Sequence, residues 1–482
     1  MYSAEIPNIV SKGLSLLIQN AGFEKKQHQF DCVEWGLKNE LTHNIGGLIA
    51  DEMGLGKTTQ MIGIIQCNPK PLSLIVLPLA LLHQWKEAIH LMTGKVPIVY
   101  HGPAKKRIQL SELANSEESK IVLTTYGSVM LRKGKAQSLH DVKWDRICFD
   151  EAHHLRNPKT SVTKGALTLQ SNLRWLITGT PIQNRKRDFY SLCEVMGIPP
   201  HVYKKQENLI NIVKTMICRR TKESVGMKLP ALTQSLHEVD WSSDSEADLA
   251  EQIHSTLQFS QLKPRASKLT ASLGESILPL LTRARQCCVF PGMLLPHIKK
   301  LQESGMVDVD VKLDAGMKGA SKLDQVCDKI KSRKDNGKRK IVFCHYHAEI
   351  DYIAERCKNY GIDVSVYDGR MGYESRKQTL QSDCDILILQ IQSGCEGLNL
   401  QNFSEVYFVS PHWNPAVEDQ AIARCHRMGQ TKPVEVFRFH MAGFDIAGAS
   451  KRSRSEFTID QYSAHKQDIK REIAKDVLDC SK

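Results

Sequence analysis

The chain has 482 residues, 41% of them hydrophobic and 24% charged, an ordinary globular composition with length for two or three domains. That excludes a disordered tail and a disulfide-stapled miniprotein. Lys and Arg number 65 against 53 Asp and Glu, a formal net charge of +12, which suits a polyanionic partner without choosing among DNA, RNA and a membrane surface.

From the N-terminus onward, MYSAEIPNIV carries no basic region followed by an apolar one, and no run of about 18 apolar residues follows anywhere. The chain is therefore expected to be neither secreted nor membrane-spanning. Residues 73–77, 120–124, 146–150 and 174–178 read as buried strands, with helical patterns between them at 79–92 and 187–196. Residues 241 to about 320 lose this rhythm, with helices expected at 245–259 and 276–288 and a flexible connection over 305–322. The rhythm returns with strands at 339–344, 363–366, 384–389 and 405–409. Such alternation implies parallel sheets covered by helices, hence two α/β lobes. The boundaries drawn are a lead-in at 1–24, a first lobe at 25–240, a helical and flexible insertion at 241–320, a second lobe at 321–440 and a tail at 441–482. The 14 cysteines stand singly apart from Cys287-Cys288, with no C-x-x-C, so no zinc ribbon, RING or thioredoxin-type site is signalled and reduced thiols are expected.

The first chemical signal is Asp51-Glu52-Met53-Gly54-Leu55-Gly56-Lys57-Thr58-Thr59. A loop leaving a short strand at 48–50 and opening a helix aims backbone N–H groups at phosphate. Lys57 can reach the β and γ phosphates and the Thr58 hydroxyl can ligate Mg²⁺. Asp51 stands where the strict pattern has glycine. The second signal is Asp150-Glu151-Ala152-His153 at the end of a strand, where open α/β sheets put ligands. Asp150 would hold Mg²⁺ and Glu151 would orient the attacking water. Alone, Asp150 reads as a helix N-cap; together with the upstream loop, the pair reads as a nucleotide-hydrolysis site.

These runs, with Thr178-Gly179-Thr180-Pro181-Ile182-Gln183-Asn184, Trp413-Asn414-Pro415 and residues 418–430 (EDQAIARCHRMGQ), resemble the Snf2 family of superfamily 2 helicase-like ATPases. Further matches are His28-Gln29 with Trp35, residues 74–85 (LIVLPLALLHQW), residues 124–127 (TTYG) and residues 340–346 (KIVFCHY). Residues 413–434 resemble the Rad5-like branch without its RING insertion, and the compact chain is similar to the global transactivator proteins of baculoviruses.

The resemblance implies two RecA-like lobes, ATP and Mg²⁺ as nucleotide and metal, and double-stranded DNA or chromatin as partner. Gln29 would read adenine, residues 51–59 would hold the nucleotide, and Arg424 and Arg427 would act as arginine fingers from one helix face. Thr178, Gly179, Thr180 and Gln420 would couple hydrolysis to movement. DNA contacts are expected from His83, Gln84, Trp85, Thr124, Thr125, Tyr126, His345, Tyr346, Ser393 and Gly394. Cys395 and Glu396 depart from the family pattern by adding bulk and negative charge, and His412 replaces a usual aromatic. The activity implied is ATP-driven translocation on duplex DNA in the nucleus, a host nucleus if the chain is viral. A strand-separating helicase and a transcription-regulating scaffold with a weakened ATP site are the alternatives. Residues 185–228 hold ten Lys or Arg against four Asp or Glu, so Arg185, Lys186 and Arg187 join the DNA candidates.

Overall fold

The computed structural model describes residues 5–102, 110, 118–131, 139–182, 186–255, 257, 277–304, 311–394, 398–445 and 455–478. They fall into two compact units, the first running to Lys228 and including the chain from Lys470, the second being Leu229–Ile469. Gln183, Asn184, Arg185, Cys395 and Glu396, singled out in the sequence, lie outside the described residues.

In the first unit the strands are β1 (Gly47–Ile49), β2 (Leu72–Leu77), β3 (Ile98–Tyr100), β4 (Lys120–Thr125), β5 (Arg146–Asp150), β6 (Leu173–Ile177) and β7 (Ile217–Cys218). Among the described residues they make one sheet in the order β3-β4-β2-β5-β6-β1-β7, every pair parallel. The apolar runs are unbroken because both faces are covered. Leu72, Leu74 and Val76 of β2 enter one core with Ile147 and Phe149 of β5, under the helices Ser161–Thr168, Lys186–Val195 and Gln206–Met216. Ile75 and Leu77 enter the other with Cys148, under the helices Ile6–Asn20, Gln27–Lys38, Lys57–Cys67 and Leu82–Thr93.

The N-terminal end of this sheet is fixed by a buried ion pair. Arg146, at the start of β5, donates Nε and Nη2 to the two carboxylate oxygens of Glu40 at 2.6 and 2.5 Å, both side chains being fully buried. Glu40 also accepts from Trp175 Nε1 of β6 at 2.8 Å and from Asn68 Nδ2 at 2.7 Å, and Arg146 Nη1 reaches Ser73 Oγ of β2 at 3.3 Å.

The second unit holds β8 (Leu232–Val239), β9 (Lys340–Cys344), β10 (Val364–Tyr367), β11 (Ile386–Gln390), β12 (Glu405–Phe408) and β13 (Val434–Met441). Among the described residues their order is β10-β11-β9-β12-β13-β8, again all parallel. Residues 229–240, grouped by the sequence reading with the first lobe, thus belong to the second: β8 is its edge strand, and its mostly exposed residues LTQSLHEV carry no apolar run. The expected flexible stretch 305–322 contains a helix at Val311–Met317, and another begins at Ser321.

The tail includes a helix at Ile459–Leu478, and its first turn is anchored in the second unit. Ile459 N donates to His254 Nε2 at 3.1 Å, while His254 Nδ1 lies 2.7 Å from Ala250 O. Asp460 forms a buried ion pair with Lys322 and accepts from Met441 N at 3.0 Å.

Glu40→Gln leaves the Arg146 guanidinium buried without its counter-charge, and a loss of about 3–5 kcal/mol in unfolding free energy is expected by urea denaturation. Stability should also depend on His254. Burial pushes its ring down to about 4, outweighing the Ala250 hydrogen bond that raises it. The unfolded chain titrates near 6.5 and binds a proton that the folded chain refuses, so this contribution is complete above about pH 6.5 and is lost as pH falls toward 4. The drop in urea midpoint between pH 7 and pH 5 should shrink in His254→Gln.

Candidate active site

Three neighbouring strands, β5, β6 and β1, end side by side at the carboxyl edge of the first sheet. The loop after β1 runs to Gly56, and the helix Lys57–Cys67 begins there. Gly54 and Gly56 have φ of 92° and 83°, a region side chains rarely adopt. A Cβ at Gly56 would also lie 2.3 Å from Gln29 Nε2. The Gln29 amide donates to Leu55 O at 3.3 Å, and His28 Nε2 lies 3.0 Å from the same oxygen. The helix Gln27–Lys38 is thus seated directly on the loop at residues 51–56. Lys57 Nζ donates to the carbonyls of Asp51 and Glu52 at 2.9 and 3.4 Å. Thr58 and Thr59 follow in the first helical turn and are half-buried.

The Asp51 side chain is committed to partners within the protein. It is fully buried, and its carboxylate accepts from Arg220 Nε at 3.1 Å, Arg220 Nη2 at 2.7 Å and Gln60 Nε2 at 2.8 Å. Glu52 is paired too, accepting from Lys222 N at 2.8 Å with Lys222 Nζ 3.4 Å away. Arg220 went unnoticed in the sequence. The signal was Asp51 itself, since a carboxylate at the buried base of such a loop calls for a cation.

At the end of β5, Asp150 Oδ2 accepts from Trp85 Nε1 at 2.6 Å and Oδ1 from the Glu151 backbone N–H at 2.9 Å. Burial and then the adjacent Glu151 charge push Asp150 up to about 7, against the pull of Trp85, the Glu151 N–H and Lys57. The N-cap reading of Asp150 does not hold: the short helix Ala152–Leu155 has Glu151 at its N-cap, without a side-chain cap. Glu151 is held at φ 48°, a conformation costing about 1–3 kcal/mol outside glycine. Its Oε2 lies 3.3 Å from His153 Nδ1, which is 3.4 Å from Thr178 Oγ1. Thr178 directly follows β6, is fully buried, and accepts from Thr180 N at 3.2 Å. A Cβ on Gly179 would meet Met53 Cγ at 2.8 Å and Lys57 Nζ at 3.3 Å. His153 thus lies between Glu151 and Thr178, and Gly179 packs against the loop at residues 51–57.

The donor set fits Mg²⁺. Asp150 and Thr58 offer only oxygen, the ligand type this ion takes. Asp150, buried beside a second carboxylate with neutral N–H donors on both oxygens, has the electrostatic demand that a divalent cation meets.

Several expected DNA contacts are interior groups. Trp85 is 1% exposed and is committed to Asp150. Thr124 is fully buried and donates to Tyr100 O at 2.9 Å, and the Tyr126 hydroxyl donates to Asp150 O at 2.7 Å. Thr125 is buried with its hydroxyl 3.3 Å from His101 Nδ1. In the second unit His345 is buried, stacked on His412 with ring centroids 5.7 Å apart, and Tyr346 is half-buried. His83, Gln84, Lys186 and Arg187 remain exposed. Ser393 and Gly394 end a helical turn at Ile391–Gly394.

Arg424 and Arg427 do not share one helix face. The helix Pro415–Cys425 stops before Arg427, His426 having ψ 76°, and Arg427 sits in the following turn. Burial first, and the Arg424 charge second, lower Arg427 below the usual guanidinium range, so the two cations remain electrostatic neighbours. Gln420 is buried on the same helix.

Trp85→Phe keeps the ring and removes the donor to Asp150, a charge-assisted bond of about 1.5–3 kcal/mol. A lower melting temperature with unchanged duplex-DNA affinity by fluorescence anisotropy is expected. Reduced DNA affinity at unchanged stability would place the indole at a surface instead.

Residues 28–293 match the SNF2-related domain and residues 321–429 the helicase conserved C-terminal domain. Among similar proteins, the probable global transactivator of Orgyia pseudotsugata multicapsid polyhedrosis virus is 26% identical over 94% of this chain and 91% of its own length. The DNA repair protein RAD5B of Arabidopsis thaliana is 25% identical over 82% of this chain and 43% of its own. The human chromodomain-helicase-DNA-binding protein 1 is 27% identical over 93% of this chain and 27% of its own. The chain thus spans most of the viral relative and less than half of the other two. A solved SWI2/SNF2 ATPase core of Sulfolobus solfataricus in complex with dsDNA covers 95% of this chain at 23% identity and TM-score 0.40. With more than half of its length inside the first of these domains, the chain belongs to the SNF2-related family of helicase-like ATPases.

Proposed function

We propose that the chain is an ATP-dependent translocase on double-stranded DNA that remodels protein–DNA complexes in the nucleus, or in the host nucleus if the chain is viral. The observation that carries this reading is the meeting of Lys57, Asp150, Glu151 and the His153–Thr178 contact at three adjacent strand ends. In it, Lys57 binds the β and γ phosphates, Gln29 meets the adenine edge, and Glu151 orients and deprotonates water. Arg424 and Arg427 are assigned to the charge that develops on the γ phosphoryl group. Asp150 and Thr58 would hold Mg²⁺, which when bound would supply neutralisation of phosphate charge. In this reading Thr178 and Gly179, which lie against His153 and the loop at residues 51–57 respectively, report hydrolysis to the rest of the lobe. The exposed Lys186 and Arg187 favour phosphate contacts, which ignore sequence and weaken steeply with salt.

The test is ATP turnover with no nucleic acid, single strands, duplex DNA and nucleosomes. Duplex DNA should stimulate it, and Lys57→Ala or Glu151→Gln should lower it by about a hundredfold or more. Absence of stimulation by duplex overturns the reading, and unwinding of a forked duplex would make the chain a strand-separating helicase. Neutralising Arg185, Lys186 and Arg187 should weaken duplex binding more than neutralising Lys299 and Lys300.

A further inference from the structure

One basic residue far along the chain is built into the phosphate loop. Arg220 lies two residues beyond β7, the strand that pairs with β1. The main chains run on together: Ala50 N donates to Cys218 O at 2.8 Å and Glu52 N to Arg220 O at 2.9 Å. The Arg220 side chain then spans two elements. Nε and Nη2 take both oxygens of Asp51, at the start of the phosphate loop, and Nη1 donates to the carbonyl of His28. His28 adjoins Gln29, whose amide lies against Gly56 and Leu55. The two sites expected to touch opposite ends of a nucleotide are therefore tied to a single planar cation.

We infer that Arg220 is a positioning residue that fixes the spacing between the Gln29 helix and the phosphate loop, so that the base and the phosphates of one nucleotide are bound together. This rests on the nucleotide-binding reading above. A guanidinium is suited to the task because its donors lie in one rigid plane and can serve a carboxylate and a carbonyl together. The Lys ammonium is a point charge on a flexible stem and cannot hold both partners at that spacing. Without Arg220, each half of the site can bind its own part of the ligand, but the gain from joining the parts is lost.

The experiment compares ATP with inorganic tripolyphosphate, which has the phosphates and no base, by isothermal titration of the full chain with Mg²⁺ present. Arg220→Met alone strands the Asp51 carboxylate, so the double variant Asp51→Asn with Arg220→Met keeps the charge balance, and its melting temperature checks the fold. The wild-type chain should bind ATP more tightly than tripolyphosphate. The folded double variant should lose about tenfold in ATP affinity, of the order of one charge-assisted hydrogen bond, with tripolyphosphate affinity changed far less. Arg220→Lys should behave as the double variant does. An unchanged ratio of the two affinities, whether both hold or both fall equally, overturns the inference. Failure of the wild-type chain to bind ATP overturns the nucleotide reading itself.

Discussion

The buried pair of Glu40 and Arg146 is the constraint on which the geometry of the first unit rests. Charges removed from water are tolerated only when their hydrogen-bonding capacity is filled, and Glu40 fills its own with Arg146, Trp175 and Asn68. Those partners begin β5, lie within β6 and follow the phosphate-loop helix. A strand rises about 3.3 Å per residue and is stiff, so fixing Arg146 at one end of β5 fixes Asp150 at the other. The catalytic edge is therefore positioned partly from the opposite end of the sheet, where no ligand is expected.

The two buried aspartates near the phosphates solve the same electrostatic problem in opposite ways. Asp51 is matched by a full positive charge on Arg220, and its negative charge is spent on structure. Asp150 has donors on both oxygens, but they are an indole and a backbone amide, which orient the carboxylate without neutralising it. Only the second arrangement leaves a charge for a cation to answer. Lys57 rests on two loop carbonyls.

Much of this was readable from the chain. Strands such as β2 and β5 are continuous apolar runs, and the loop at 51–59 and the acidic pair at 150–151 are local patterns whose chemistry is carried by adjacent residues. The contacts that local pattern does not show depend on distance in sequence. Trp85 meets Asp150 across 65 residues and Arg220 meets Asp51 across 169; the buried Asp51 calls for a cation, but nothing local says which residue supplies it. Thr124 and Tyr126 stand at a strand end, as a ligand contact would, yet their hydroxyls bond inward; sequence shows the residue type and not its direction. The helix containing Arg424 ends two residues before Arg427, because His426 leaves helical ψ. Strand β8 escaped notice because an exposed polar edge strand lacks the apolar signal by which strands are recognised.

That edge strand has a consequence for how the protein is made. Leu232–Val239 pairs along its whole length with Val434–Met441, so some two hundred residues separate the partners. Loop closure of that length is slow compared with local helix and hairpin formation. During synthesis, the described strands of the first sheet, which end at Cys218, are complete before either partner can meet the other. The nucleotide-binding half can therefore fold while β8 waits, unpaired, for the last strand of the second sheet. In that interval its open backbone is a site for aggregation or chaperone capture, and its largely polar sequence is the kind of surface that resists it.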